Sequence, residues 1–174
     1  MQKTILFSLV IFLLGSTGNT IAQSTTRIFV VRHADRQVSD DLNALGLVRA
    51  NELKRVLQNT GIDSVFSTNF VRTRKTVKPL ADAIGLPILL YDSNPPLLKR
   101  IFKYSKGKTF LVAGHSNTVG PLIKSCGCQP GFINIPDNQF DNLFLIIVQH
   151  PPKNALIRNT CKLLAMKYGA PTPL

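Results

Sequence analysis

Two histidines, His33 and His115, each stand just past an uninterrupted apolar run, beside residues able to hold oxygen anions. The first lies in Phe29-Val30-Val31-Arg32-His33-Ala34-Asp35-Arg36 and the second in Gly114-His115-Ser116-Asn117-Thr118. A single histidine of this kind would more often be structural. Two at equivalent strand ends, with Arg32 beside the first and Arg72 at a helix start, make a positive, donor-rich concavity suited to a tetrahedral phosphoryl group. Phosphoryl transfer demands mainly in-line positioning and neutralisation of equatorial oxygens, and guanidinium groups supply both without a metal. Thr68, Ser116 and Asn117 are further candidates for phosphate contacts, although Ser116 and Asn117 suit a helix N-cap equally well.

These side chains need a sheet with a defined rim. Ile28 to Val31 is bulky and β-favouring with no polar alternation, which suits a strand covered on both faces. In open α/β sheets ligands bind beyond the carboxyl ends of the strands, where Arg32 and His33 fall. Leu47 to Asn59 carries Leu47, Ala50, Leu53 and Leu57 at helical spacing, with Asn43 as N-cap and Arg49, Glu52, Lys54 and Arg55 on the other side. A strand over 62–66 ends at Ser67-Thr68-Asn69, and a helix over 71–84 has the core stripe Val77, Leu80, Ala81 and Ile84, with Gly85 ending it. Arg72 and Arg74 occupy its first turn, where the positive helix end disfavours cations unless an acid or anion compensates. Strands are predicted at 86–91, 109–113 and 143–148, an edge strand at 161–168, and helices at 97–104 and 119–125. Pro121 is tolerable only in the first turn of the last helix. The pattern predicts an α/β three-layer sandwich with a mostly parallel central sheet of about six strands and helices on both faces.

The 174 residues divide into a leader and one domain. Lys3, the apolar run Ile5 to Leu14 and the small, polar stretch Gly15 to Gln23 read as a secretory signal over 1–22, leaving 23–174 as the folded part. Ten apolar residues are about half the roughly 20 that a spanning helix needs, so no stable membrane insertion is expected after removal. The expected location is periplasmic or secreted. A formal charge of +12 concentrates anions near the surface without identifying them. The densest basic patch is Lys99, Arg100, Lys103, Lys106 and Lys108, interleaved with Phe102 and Tyr104. No nucleic-acid-binding motif accompanies it, so it reads as a solvated helix face and loop beside an anion site rather than a nucleic-acid surface. Cys126, Cys128 and Cys161 are an odd count for an exported chain; a disulfide from Cys161 to Cys126 or Cys128 is open, and four zinc ligands are not assembled.

The motifs resemble those of the histidine phosphatase superfamily, which includes phosphoglycerate mutases and small phosphohistidine phosphatases. Arg32-His33-Ala34-Asp35 is similar to its Arg-His-Gly signature, with alanine for glycine. Leu42 to Gly46 with Arg49-Ala50 resembles its first-helix pattern, Ser67 to Thr76 its second, and Gly114 to Thr118 its second histidine motif. Each motif alone is weak, whereas four in order at domain-compatible spacing are specific. The resemblance implies that neutral His33 attacks phosphorus to give a phosphohistidine that water hydrolyses, while Arg32, Arg72 and His115 hold the phosphoryl oxygens.

A leaving alkoxide also needs a proton, and Asp35 and Asp92 are the sequence candidates for the acid. The family's obvious glutamate after the second helix is missing, as are long sugar-acid-binding insertions, which argues against a phosphoglycerate mutase. The expectation is an exported, metal-independent and cofactor-free phosphomonoesterase acting on a small or surface-presented phosphate ester. The alternatives are a phosphate-binding module that no longer turns over and, less favoured, a basic nucleic-acid-binding protein. The sequence leaves the natural substrate and the oligomeric state open.

Overall fold

A computed structural model describes residues 24–92, 94–104, 107–128, 133–151 and 159–172, so the proposed leader over 1–22 lies outside the described residues. The chain runs β1 (Ser24–Arg32), α1 (Ala44–Leu57), β2 (Ser64–Ser67), α2 (Val71–Ala83), β3 (Ile88–Leu90), α3 (Asn94–Tyr104), β4 (Thr109–Gly114), α4 (Ser116–Ser125), β5 (Asn142–His150) and β6 (Thr160–Lys167). One six-stranded sheet has the order β3-β2-β4-β1-β5-β6. The first four strands in that order pair in parallel, whereas β5 runs antiparallel to both its neighbours, β1 and β6, so the sheet is mostly, not wholly, parallel.

Why β1 tolerates no polar alternation is visible in the packing. Ile28 and Val30 point into one apolar layer with Leu97, Leu98 and Ile101 of α3 and Val119, Leu122 and Ile123 of α4. Phe29 and Val31 point into the other, with Leu53 and Leu57 of α1 and Val77, Leu80 and Ala81 of α2. Both faces of β1 are therefore buried, which makes β1 and its neighbour β4 the centre of the three layers.

Several boundaries differ from the sequence expectation for identifiable reasons. β1 begins at Ser24 rather than Ile28, because the antiparallel partner β5 reaches back to pair Ser24 with His150. Buried Thr26 is satisfied there by a 2.8 Å hydrogen bond between its hydroxyl and the His150 imidazole. α4 begins at Ser116 rather than Val119, and its N-cap is His115, not Ser116 or Asn117. The His115 amide donates to the Thr118 hydroxyl at 2.9 Å, which supplies the side-chain bond expected of the two preceding residues. Pro121 consequently lies beyond the first turn of α4. Asn43 caps α1 as expected, its side-chain oxygen accepting from the Gly46 amide at 2.9 Å.

The cysteine alternatives resolve into a Cys128–Cys161 disulfide with Cys126 buried and free. The bond joins the segment after α4 to the edge strand β6, closing a 33-residue separation. Such a cross-link restricts the unfolded chain, typically worth about 2–4 kcal/mol. Reduction by a thiol reagent should therefore lower the stability in urea unfolding by that order, and an unchanged midpoint would show that the link contributes nothing.

Candidate active site

The parallel pairing of β1 with β4 sets Arg32 opposite Gly114, so the next residues, His33 and His115, leave adjacent strands at the same height. The His33 amide donates to the Gly114 carbonyl at 2.9 Å, extending the ladder by one bond. The two imidazole centroids lie 5.5 Å apart. Gly114 is required at this crossing, because a Cβ there would stand 2.7 Å from the Thr118 hydroxyl and 3.0 Å from that of Tyr91.

Arg32, His33, Arg36, Thr68, Arg72 and His115 line one open pocket of about 720 Å³, together with Ser116, Asn117 and Asp92. The sequence-proposed Arg32, His33, Arg72 and His115 are thus brought together, with Thr68, Ser116 and Asn117 on the same walls. Phe70 and Asp137 also line it, and neither stands out in the sequence.

His33 is buried, and its Nδ1 lies 2.8 Å from the Ala34 carbonyl oxygen. A carbonyl only accepts, so Nδ1 carries the proton and Nε2 keeps its lone pair. Burial lowers the pKa to about 4, with Arg32, Arg72 and His115 acting in the same direction. At neutral pH His33 is therefore an uncharged imidazole with its Nε2 available as a nucleophile. His115 is held as the neutral form too, its pKa lowered by burial and then by Arg72 and Arg32. Arg72 Nη2 donates to His115 Nδ1 at 3.4 Å, which leaves Nε2–H to donate to the Thr68 hydroxyl at 3.0 Å.

Each arginine is already supported. Arg32 Nη1 donates to the carbonyls of Pro136 at 2.8 Å and Gln139 at 3.1 Å, and its guanidinium carbon lies 4.4 Å from the Phe140 ring centre. Arg72 sits over Phe70 at 4.4 Å and pairs with Asp40. Asp40 also accepts from the Val71 amide at 2.9 Å, and its pKa is lowered. The compensation that cations in the first turn of α2 demand thus comes from an acid of the loop after β1.

The structure does not bring Asp35, proposed from sequence as a candidate acid, into the pocket. It is buried and absent from the pocket wall, and its Oδ2 accepts from Arg49 Nε at 2.6 Å. Arg49, expected on the solvated side of α1, is itself buried and also donates to the Tyr168 and Ala170 carbonyls at 3.1 and 2.8 Å. The pair instead ties the signature loop to α1 and to the chain after β6. Gly46 permits the approach, since a Cβ there would fall 2.0 Å from the Asp35 carbonyl oxygen. The buried Thr76 hydroxyl fixes the loop from the other side by accepting from the Ala34 amide at 2.8 Å. Of the basic patch, Lys99 and Arg100 are exposed on α3 and Lys108 pairs with Asp63 at 2.9 Å; the side chains of Lys103 and Lys106 lie outside the described residues. Among the described residues no group of three or more His, Cys, Asp or Glu side chains is placed to hold a metal ion.

Comparison with known proteins agrees with this architecture. The sequence profile of the histidine phosphatase superfamily (branch 1) matches residues 20–93. Solved structures of similar fold include a mycobacterial glucosyl-3-phosphoglycerate phosphatase, with a TM-score of 0.65 at 11% identity over 80% of this chain and 98% of that one. A candidate phosphohistidine phosphatase from Agrobacterium tumefaciens gives 0.53 at 18% identity over 83% and 98%. Phosphoglycerate mutase from Plasmodium falciparum gives 0.51 at 14% identity over 87% and 94%. No curated protein matches the chain by sequence. Residues 20–93 thus resemble the histidine phosphatase superfamily in sequence, and the chain shares its fold with these solved structures.

Two outcomes follow from the geometry. Removing Asp35 leaves the buried Arg49 without its counter-charge, a loss of about 3–5 kcal/mol, whereas Asp92→Ala on the exposed rim should change stability by no more than about 0.5 kcal/mol. Urea unfolding of Asp35→Ala and Asp92→Ala measures both, and equal effects would contradict the structural assignment of Asp35. Because the folded pKa of His33 lies below the ordinary 6.5, its contribution to stability is intact above pH 6.5 and is lost as pH falls toward 4. His33→Gln should therefore lose less stability than the native chain over that window, read as the change in Tm between pH 6.5 and 4.

Proposed function

We propose that the chain is a phosphomonoesterase that works through a phosphohistidine on His33. The observation that carries this reading is the neutral His33 imidazole, with Nδ1–H committed to the Ala34 carbonyl and Nε2 bare, in a pocket shared with Arg32, Arg72 and His115. His33 Nε2 attacks phosphorus, and the P–O bond to the leaving group breaks. Arg32 and Arg72 take the charge that collects on the non-bridging oxygens, and His115, whose Nε2–H holds the Thr68 hydroxyl oxygen, turns the hydroxyl proton of Thr68 toward them as a further donor. Water then attacks the phosphohistidine, the P–N bond breaks, and its electron pair returns to Nε2. Two guanidiniums and two imidazoles meet the electrostatic demand of the transferred group, which supports a reaction that needs no metal or organic cofactor.

The substrate class proposed is a small or surface-presented phosphate ester. The open pocket accommodates a leaving group of modest size, and a second cavity of about 260 Å³, walled by Phe66, Leu90, Pro96 and Leu97, adjoins it at Tyr91 and Asp92. Phosphatase and mutase names among proteins of the same fold support phosphate esters as the substrates. The leader read over 1–22 supports export to the periplasm or beyond. One observation favours the phosphate-binding alternative: Asp35, the carboxyl group closest in sequence to His33, is committed to Arg49 and cannot serve as the acid.

Hydrolysis of para-nitrophenyl phosphate in chelator separates the two. The enzyme reading expects turnover by the native chain, loss of at least about 100-fold in His33→Ala, and a phosphorylated histidine at position 33 by mass spectrometry after rapid quench. Calorimetric binding of inorganic phosphate with no turnover would select the binding module instead.

A further inference from the structure

We propose that Asp137 is the catalytic acid: it protonates the leaving oxygen when the phosphohistidine forms and takes the proton of the attacking water when it breaks down. This assignment rests on the phosphomonoesterase reading and supplies the group that Asp35 cannot. Four aspartates lie in or around the pocket. Asp35 is buried against Arg49, and Asp40 is held by Arg72 and the Val71 amide. Asp92 and Asp137 are exposed and line the pocket wall.

What distinguishes Asp137 is its tie to the arginine at the phosphoryl site. Arg32 grips the two backbone carbonyls that flank it, those of Pro136 and Gln139, and stacks on Phe140 just beyond. The turn is closed by the Gln139 amide donating to the Pro136 carbonyl at 3.0 Å. Although 96% exposed, the Asp137 carboxylate is thereby set 3.7 Å from Arg32 Nη2, and it accepts a 3.3 Å hydrogen bond from the Ser116 hydroxyl. Asp92 has no hydrogen-bond partner among the described residues.

Asp137 also stands on the boundary between two cavities. Together with Ser116 and Asn117 it belongs both to the main pocket and to a side cavity of about 280 Å³ walled by Asn134, Ile135 and Pro136. A phosphoryl group on Arg32 and Arg72 with its alcohol portion in the side cavity brings the bridging oxygen across this boundary. In the first step the P–O bond breaks, its electron pair goes to that oxygen, and the oxygen takes the proton of the Asp137 carboxyl group to leave as the alcohol. In the second step water attacks phosphorus, Asp137 takes its proton, the P–N bond breaks, and phosphate and neutral His33 are restored.

Asp137→Asn keeps the size of the side chain and an oxygen for the Ser116 hydroxyl, and at an exposed site it leaves the fold intact. A general acid matters in proportion to how poor the leaving group is. The kcat/KM, which reports formation of the phosphohistidine, should therefore fall about 100-fold on n-butyl phosphate and by no more than about threefold on para-nitrophenyl phosphate, whose phenolate leaves unaided, while kcat falls on both because the water step loses its base. Equal losses of kcat/KM on both esters, or no loss on either, would overturn the assignment, as would finding the alkyl-selective loss in Asp92→Asn instead. His33→Ala reports separately on the underlying reading by losing both activities; a native chain that hydrolyses neither ester removes the phosphatase reading and this assignment with it.

Discussion

The register of a single strand pair governs everything at the rim of this sheet. Arg32 faces Gly114, and so the two histidines leave neighbouring strands side by side instead of on opposite faces. A slip of one residue would turn one imidazole toward the other helical layer, because side chains alternate along a strand. That slip is prevented by burial: Ile28 and Val30 belong to the layer beneath α3 and α4, Phe29 and Val31 to the layer beneath α1 and α2, and Val112 and Ala113 of β4 divide in the same way. The hydrophobic effect therefore sets the spacing of polar groups that it does not touch.

Given that register, the pocket is held rigid by bonds its own cations make. Arg32 is anchored on two carbonyls, Arg72 on Asp40, and the loop between β1 and α1 is pinned by Asp35 to Arg49 and by Ala34 to Thr76. Groups fixed in this way need little reorganisation as charge moves in a reaction, which is where electrostatic stabilisation is most effective. The same positive surroundings that attract an anion, together with burial, keep His33 and His115 uncharged, so the site separates permanently charged guanidiniums from neutral imidazoles.

Much of this was legible in the sequence because it depends on local chemistry. Apolar runs ending at Arg32 and at Gly114 announced the two central strands, and helical spacing in 47–57 and 71–84 announced the helices of one layer. The six-stranded, mostly parallel sheet with helices on both faces and the likeness to the histidine phosphatase superfamily followed from the same residues. What sequence could not show was which polar groups find each other across long separations. Asp35 looked like a catalytic carboxylate because it follows His33, yet its partner is Arg49, fourteen residues away and disguised by the helical pattern as a surface residue. Asp137 lies more than one hundred residues from Arg32 in a turn with no periodicity, and only the folded chain brings them together. The one available clue was the unfavourable placing of Arg72 in the first turn of α2, which called for an unseen acid that proved to be Asp40.

Arg32 has two duties at once, facing the phosphate pocket and fastening the turn of residues 136–139. Anyone redesigning this scaffold for a different alcohol portion would find its two sides unequal. Grafting a new turn beneath Asp137 would disturb the anion-holding arginine along with selectivity. The wall formed by Leu90, Pro96 and Leu97 shares no bond with that arginine, so changes there leave the anion-holding group undisturbed, whereas changes on the alcohol side do not.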